Sequence, residues 1–243
     1  MGKKRGIDPL YSPRTVAALL SDFRAADYEW RAAHRNPAYY DFFVTMAPAC
    51  ARSLLDVGCG SGRLTLLLAT RAHAAFGLDP SETLLTLGRE RGRALQQSNT
   101  HWMVGDIEHP PYPPARFDYI VSCNALRLTD LNQSLGQIRN LLAPGGRLAI
   151  KDVVKTSRVP APQILLHFYA TMRNVRGMRA MYGTSTMLGI LRDRFSRESL
   201  ALMSRERSWV GERAHAAYTR SLPGCRISGQ GSSVVILWDK PAP

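Results

Sequence analysis

The chain is poor in cysteine and in acid. Its four cysteines, Cys50, Cys59, Cys123 and Cys225, form no C-x-x-C pair and no zinc-ligand spacing. That pattern argues against a disulfide framework or a metal module, and single buried thiols in a reducing compartment are expected. No apolar stretch approaches the roughly 20 residues of a membrane span. The basic start Met1-Gly-Lys-Lys-Arg-Gly6 is followed by no apolar run, and Gly6 stands where a myristoylation signal places Ser or Thr. Neither a secretory leader nor an acyl anchor is expected, and the expected location is cytoplasmic. Acids number 19 against 32 basic residues, a formal net charge of +13. Such an imbalance bears on partners and solubility rather than on fold.

What the chain does have is a length and an apolar content that suit one α/β domain with insertions, at 243 residues and 45% hydrophobic. Ser53-Leu-Leu-Asp-Val-Gly-Cys-Gly-Ser-Gly-Arg-Leu64 reads as a buried strand, a glycine turn and a helix start. Leu54, Leu55 and Val57 form the apolar run, Gly58, Gly60 and Gly62 break it, and Leu64, Leu66, Leu67 and Leu68 resume at helical spacing. Glycines let the backbone approach a ligand closely beside a helix N-terminus. The dinucleotide fingerprint is G-x-G-x-x-G, but here the third glycine comes one residue early and Arg63 takes its place.

Further strands follow at intervals. Ala74 to Asp79 ends in an acid, and Pro80 and Ser81 open a helical run through Leu84, Leu85 and Leu87. His101 to Val104 is followed by Gly105-Asp106-Ile107, and Phe117 to Ser122 by Cys123-Asn124. A helix from Leu131 to Leu142 is stopped by Pro144-Gly145-Gly146, and Arg147 to Val153 forms a fifth strand. Pro223 to Ser228 and Ser233 to Trp238 read as a closing hairpin. Strand ends on one edge of an open parallel sheet face a common crevice, so Asp56, Asp79 and Asp106 are expected to meet there.

The strand-Asp-x-Gly-x-Gly-x-Gly arrangement, the acids at the next two strand ends and the turn Arg139-Asn-Leu-Leu-Ala-Pro-Gly-Gly-Arg-Leu148 resemble the class I S-adenosylmethionine-dependent methyltransferases. The nearest group is the small-molecule type that includes the ubiquinone and menaquinone enzymes. The resemblance runs through residues 53 to 153 and implies a Rossmann-like, doubly wound, mostly parallel seven-stranded sheet with a C-terminal antiparallel hairpin. It implies S-adenosyl-L-methionine as cofactor, held by Asp56, Gly58, Cys59, Gly60, Gly62, Asp79, Pro80, Asp106, Ile107 and Asn124. In it Asp56 and the turn face the amino-acid end, Asp79 takes the ribose hydroxyls, Asp106 takes the adenine amino group and Ile107 packs on the ring. Many relatives carry a histidine near positions 127 and 128, where this chain has Arg127 and Leu128. The proline run His109-Pro-Pro-Tyr-Pro-Pro114 precedes the fourth strand and so does not match the Asn/Asp-Pro-Pro-aromatic signature of amino-methylating enzymes.

Four segments are expected: a helical cap over residues 1–50, the cofactor-binding core over 51–155, an arginine-rich helical insertion over 156–220, and the hairpin over 221–243. Cap helices enter at Ser12-Pro13 and Asn36-Pro37. The aromatic run from Tyr28 to Phe43 either covers one side of the sheet or roofs a ligand pocket. Residues 156–220 hold eleven arginines, no lysine and four acids, so more than half of the net charge sits there. Arginine forks bind carboxylate and phosphate bidentately, which points to an anionic small-molecule acceptor, with Arg127, Arg173 and Arg176 as candidate contacts. A solvated arginine-rich face is the bland alternative.

Catalytic candidates are His167, Tyr169 and Tyr39, with His215 behind them. Methyl transfer needs a base only where the nucleophile keeps a proton that it does not lose readily. A nucleic-acid acceptor gripped by the basic segment, a lipid acceptor at a membrane surface and a non-catalytic cofactor-binding scaffold remain as other readings. No metal is expected, and the pattern leaves the oligomeric state and the methylated atom open.

Overall fold

The computed structural model describes residues 22, 25, 26, 28, 29, 31, 37–153, 163–196, 211–230 and 233–242. The expected helix entry at Ser12-Pro13 lies outside the described residues. By contacts the chain falls into two units, Met1–Asn36 with Ser157–Met203, and Pro37–Thr156 with Ser204–Pro243. These boundaries differ from 50, 155 and 220, because residues 37–50 and the helix before the hairpin group with the sheet.

The larger unit is built on seven strands: β1 (Ala51–Val57), β2 (Ala72–Asp79), β3 (Thr100–Val104), β4 (Phe117–Cys123), β5 (Leu142–Val153), β6 (Arg226–Gln230) and β7 (Ser233–Asp239). They lie in the order β3-β2-β1-β4-β5-β7-β6. The first five are parallel, and β7 runs antiparallel to both β5 and β6. The helices are α1 (Asp41–Met46), α2 (Arg63–Ala69), α3 (Glu82–Ala94), α4 (Leu131–Leu141) and α6 (Gly211–Ser221); α5 (Gln163–Arg194) belongs to the smaller unit.

The apolar run of β1 is continuous because both faces are covered, as buried parallel strands require. Leu54, Ala75, Tyr119, Val121 and Ala149 pack with Phe43 of α1 and with Leu64 and Leu68 of α2. Leu55, Leu78, Ile120, Leu148 and Ile150 point the other way, onto Leu135 and Ile138 of α4 and Tyr218 of α6. Each fully buried Leu or Ile contributes about 1.5–3 kcal/mol by leaving water. Ser81 caps α3 by accepting from the Leu84 N–H at 3.3 Å, and Asp130 caps α4 by accepting from the Gln133 N–H at 3.0 Å.

Two expectations need correcting. Pro144-Gly145-Gly146 does not lie before the fifth strand but inside it. Leu142 already pairs with Phe117, and the ladder shifts register before resuming at Arg147 opposite Tyr119, so the break is a bulge within one strand. The cysteines are free as expected, but Cys50 is exposed and only Cys59 is buried.

The smaller unit contains α5, which is broken at Gly183, where φ is 80° and ψ 171°. Met178, Tyr182, Thr186, Ile190 and Arg194 are buried at four-residue spacing, and the Tyr182 hydroxyl donates to the Ala26 carbonyl at 3.2 Å. Arg176, Arg179 and Arg192 are exposed. The side chains of His167, Tyr169 and Arg173 lie outside the described residues, and His215 is exposed on α6.

Candidate functional site

Strand order reverses between β2-β1 and β4-β5, so the C-terminal ends of β1 and β4 open the crevice that such sheets use for ligands. The glycine turn closes it from one side. Gly58, Gly60 and Gly62 all have left-handed backbones, with φ of 68°, 55° and 75°. A methyl added at Gly58 would come within 2.2 Å of Ala125 Cβ, and one at Gly62 within 2.1 Å of the Trp102 ring. Gly77 and Gly88 leave the same space, so the indole of Trp102 fills a slot made by three glycines from three elements.

The turn is wired inward. The Gly58 and Cys59 N–H groups donate to the Leu78 carbonyl at 2.8 and 3.1 Å, and the Gly62 N–H to the Cys59 carbonyl at 3.0 Å. Asp79 Oδ2 accepts from the Gly60 N–H at 2.8 Å, while its Oδ1 accepts from the Ser81 N–H at 2.9 Å. Arg91, buried on α3, donates to the Ser61 carbonyl at 3.1 Å. A pyrophosphate-binding turn presents these N–H groups to its ligand; here four of them are occupied within the fold.

The acids of β1 and β2 at this edge are buried. Asp56 is 1% exposed and accepts the Thr65 hydroxyl at 2.7 Å. Burial pushes its pKa up from 3.8 to about 7; the Thr65 hydrogen bond lowers it and the Asp79 charge raises it further. Asp79, 8% exposed, is also raised, chiefly by burial, against the lowering effect of its two backbone bonds. Burial likewise holds the Cys59 thiol well above its usual range, so it is a neutral packing group. Two desolvated carboxyls beside a bare turn suit a cationic ligand.

The other predicted residues divide. Pro80 is exposed beside Asp79. Asp106 is exposed, and its Oδ1 accepts from the Glu108 and His109 N–H groups at 2.7 and 3.0 Å. Ile107 is 3% exposed within the α4-side core. Asn124 is left-handed, with φ of 60°; its amide donates to the Tyr39 hydroxyl at 2.8 Å. Arg127 is held by Asp152 Oδ1 at 3.0 Å and by the Asn124 carbonyl at 2.8 Å. Its guanidinium therefore ties the loop after β4 to β5, and Asp152, fully buried, is neutralised by it.

Four residues at this edge carried no signal in the sequence: Thr65, Arg91, Trp102 and Lys151. Lys151 is 8% exposed; its ammonium donates to the Tyr39 carbonyl at 3.1 Å and lies 4.1 Å from the Tyr39 ring centroid. An opening of about 570 Å³ lined by Arg139, Asn140, Trp238 and Lys240 lies at the opposite end of the sheet, where Lys240 Nζ is bound by the Arg139 and Leu142 carbonyls. It is remote from the acids. Among the described residues no cluster suits a metal ion, and no helix is long and apolar enough to cross a membrane.

Comparison with known proteins agrees with this chemistry. The methyltransferase domain model matches residues 51–200. An O-methyltransferase of Penicillium expansum is 31% identical over 128 residues, covering 51% of this chain and 46% of that protein. A ubiquinone/menaquinone biosynthesis C-methyltransferase of Dinoroseobacter shibae is 34% identical over 121 residues, covering 48% of this chain and 47% of the relative. The chain thus matches about half the length of these curated relatives. A TehB-like methyltransferase of Corynebacterium glutamicum shares the fold at a TM-score of 0.54 and 19% identity, over 92% of this chain and 99% of that one. With the glycine turn, the three strand-end acids and the seven-stranded sheet in place, the chain belongs to the methyltransferase domain family, in its class I, S-adenosylmethionine-dependent form.

Proposed function

We propose that the protein transfers a methyl group from S-adenosylmethionine to a small acceptor bearing an anionic oxygen. The observation that carries the proposal is the pair of buried acids, Asp56 and Asp79, flanking a turn whose N–H groups are turned inward. Bound S-adenosylmethionine supplies an electrophilic methyl group on a sulfonium.

The residues divide the remaining work. Each oxygen of Asp79 uses one lone pair on a backbone N–H, and the others are available to two vicinal hydroxyls. Asp56 answers a positive charge through the turn rather than by direct exposure. Asp106 and Pro80, both exposed, border the adenine side, while Ile107 is buried in the α4-side core behind them. Gly58, Cys59, Gly60 and Gly62 give close backbone approach, and Asn124 closes the β4 side. Among the catalytic candidates, Tyr39 is the one with a described place at this edge, between Asn124 and Lys151. The relatives named for O- and C-methylation favour an acidic oxygen or an activated carbon as nucleophile. The net positive charge of residues 156–220 favours an anionic acceptor through long-range attraction rather than through a direct contact from the exposed Arg176. A cytoplasmic setting belongs to the same proposal.

Calorimetric titration with S-adenosylmethionine and, separately, with NADH tests the reading. Binding of the former alone is expected, and Asp79→Ala should weaken it at least a hundredfold, since charge-assisted hydrogen bonds contribute about 1.5–3 kcal/mol each. Unchanged affinity in the variant, or binding of NADH instead, would overturn it.

A further inference from the structure

We infer that Lys151 recognises the anionic oxygen of the methyl acceptor, an inference that rests on the methyltransferase reading and names the residue that selects the substrate class. The chain uses arginine almost throughout, with only five lysines among its 32 basic residues. One of the five is buried near the C-terminal end of β5. Lys151 pairs with Cys123 on β4 and shares the α1-side face of the sheet with Ala149.

A buried ammonium is ordinarily matched by a carboxylate, because removing it from water costs several kcal/mol. Lys151 has no such match among the described residues. The neighbouring acid, Asp152, projects to the opposite face and is bound by Arg127. What Lys151 does have is the Tyr39 carbonyl and the face of the Tyr39 ring. One of its three N–H donors is accounted for by that carbonyl, and an anionic oxygen is the partner that the remaining donors fit.

Its position fits this role. The Asn124 N–H donates to the Lys151 carbonyl at 2.9 Å, and the next residue, Ala125, packs directly on Gly58 of the glycine turn. The backbone of Lys151 is therefore joined through Asn124 and Ala125 to the glycine turn on the cofactor side of the crevice. Tyr39 is itself fixed, by the Asn124 amide at its hydroxyl and by the seating of α1, where Tyr119 donates to the Phe43 carbonyl at 2.8 Å. Lys151 is thus presented on rigid elements. The oxygen that it takes belongs to a carboxylate, a phosphate or an ionised hydroxyl of the acceptor; the ammonium holds that charge and moves no proton.

The full chain, labelled with 13Cε-lysine and saturated with S-adenosylhomocysteine, gives five lysine signals. That of Lys151 is identified by its loss in Lys151→Met or, should that variant not fold, in Lys151→Arg. Benzoate, inorganic phosphate and the neutral benzamide are then titrated. The Lys151 signal should move saturably with at least one of the anions, at concentrations at least tenfold below any effect of benzamide. No movement with either anion, or equal movement with benzamide, overturns the inference. The methyltransferase reading fails separately, by absence of S-adenosylmethionine binding to the native protein.

Discussion

Replacing Asp56 by Asn tests the electrostatics of the crevice without ligand. The carboxyl is 1% exposed, and its folded-state pKa, about 7, lies above the ordinary 3.8 chiefly because burial disfavours the charge. A group raised on folding binds its proton more tightly in the folded chain. Its contribution to stability is therefore fully present below about pH 4 and is lost as pH rises through about 7. The span from 3.8 to about 7 corresponds to about 4 kcal/mol, of which about 2.5 kcal/mol falls between pH 5 and pH 8. Asparagine cannot titrate there, keeps the volume and still offers Thr65 an acceptor oxygen. Any constant cost of its amide is the same at both pH values, so the pH dependence of the difference isolates the carboxylate. Urea unfolding of the cofactor-free native protein and the variant should show the balance shifting toward the variant by about 2.5 kcal/mol from pH 5 to pH 8. A difference that stays flat or shrinks with pH would refute the reasoning.

The same carboxyl makes cofactor binding proton-linked: at pH 6 the cationic ligand should drive a proton off Asp56, seen as a dependence of calorimetric heat on buffer ionisation enthalpy that fades by pH 9. Gly62→Ala should destabilise the larger unit by about 2–4 kcal/mol, since it combines a left-handed backbone with a collision against Trp102, and near-ultraviolet circular dichroism should report the displaced indole. Arg127→Met should cost about 3–5 kcal/mol in urea unfolding, because Asp152 is fully buried and loses its guanidinium. Adding Asp152→Asn to that variant should recover most of the loss, and no recovery would refute the pairing.

The sheet was legible because strand, glycine and acid recur in a fixed order that burial on both faces enforces. Leu54 and Leu55 point to opposite faces and are both covered, so the run reads as continuous and marks a central parallel strand. The Pro144-Gly145-Gly146 break misleads, because a bulge keeps the ladder intact on both sides of it. Thr65, Arg91 and Trp102 carry no signal along the chain, since their partners, Asp56, the Ser61 carbonyl and three glycines, meet them only after folding. Sequence spacing holds no trace of such pairings.

The proposed recognition of an anion shows the limit most clearly. Charge density along the chain directs attention to the arginines of residues 156–220, yet Arg176, Arg179 and Arg192 are exposed, and an exposed guanidinium keeps its hydration and contributes little to a small ligand. A cation gains leverage where water is excluded, since Coulomb attraction there is several times stronger than at the surface. In Leu148-Ala-Ile-Lys-Asp-Val153 the two charged residues stand side by side and look alike, and only the fold separates them, with Asp152 bound by Arg127 and the Lys151 ammonium buried against Tyr39. Neutralising Lys151 should therefore weaken anion binding more than neutralising Arg176, Arg179 and Arg192 together. Comparing benzoate affinity in Lys151→Met with that of the triple Arg→Gln variant decides it, and the reverse order would return selectivity to the arginine-rich segment.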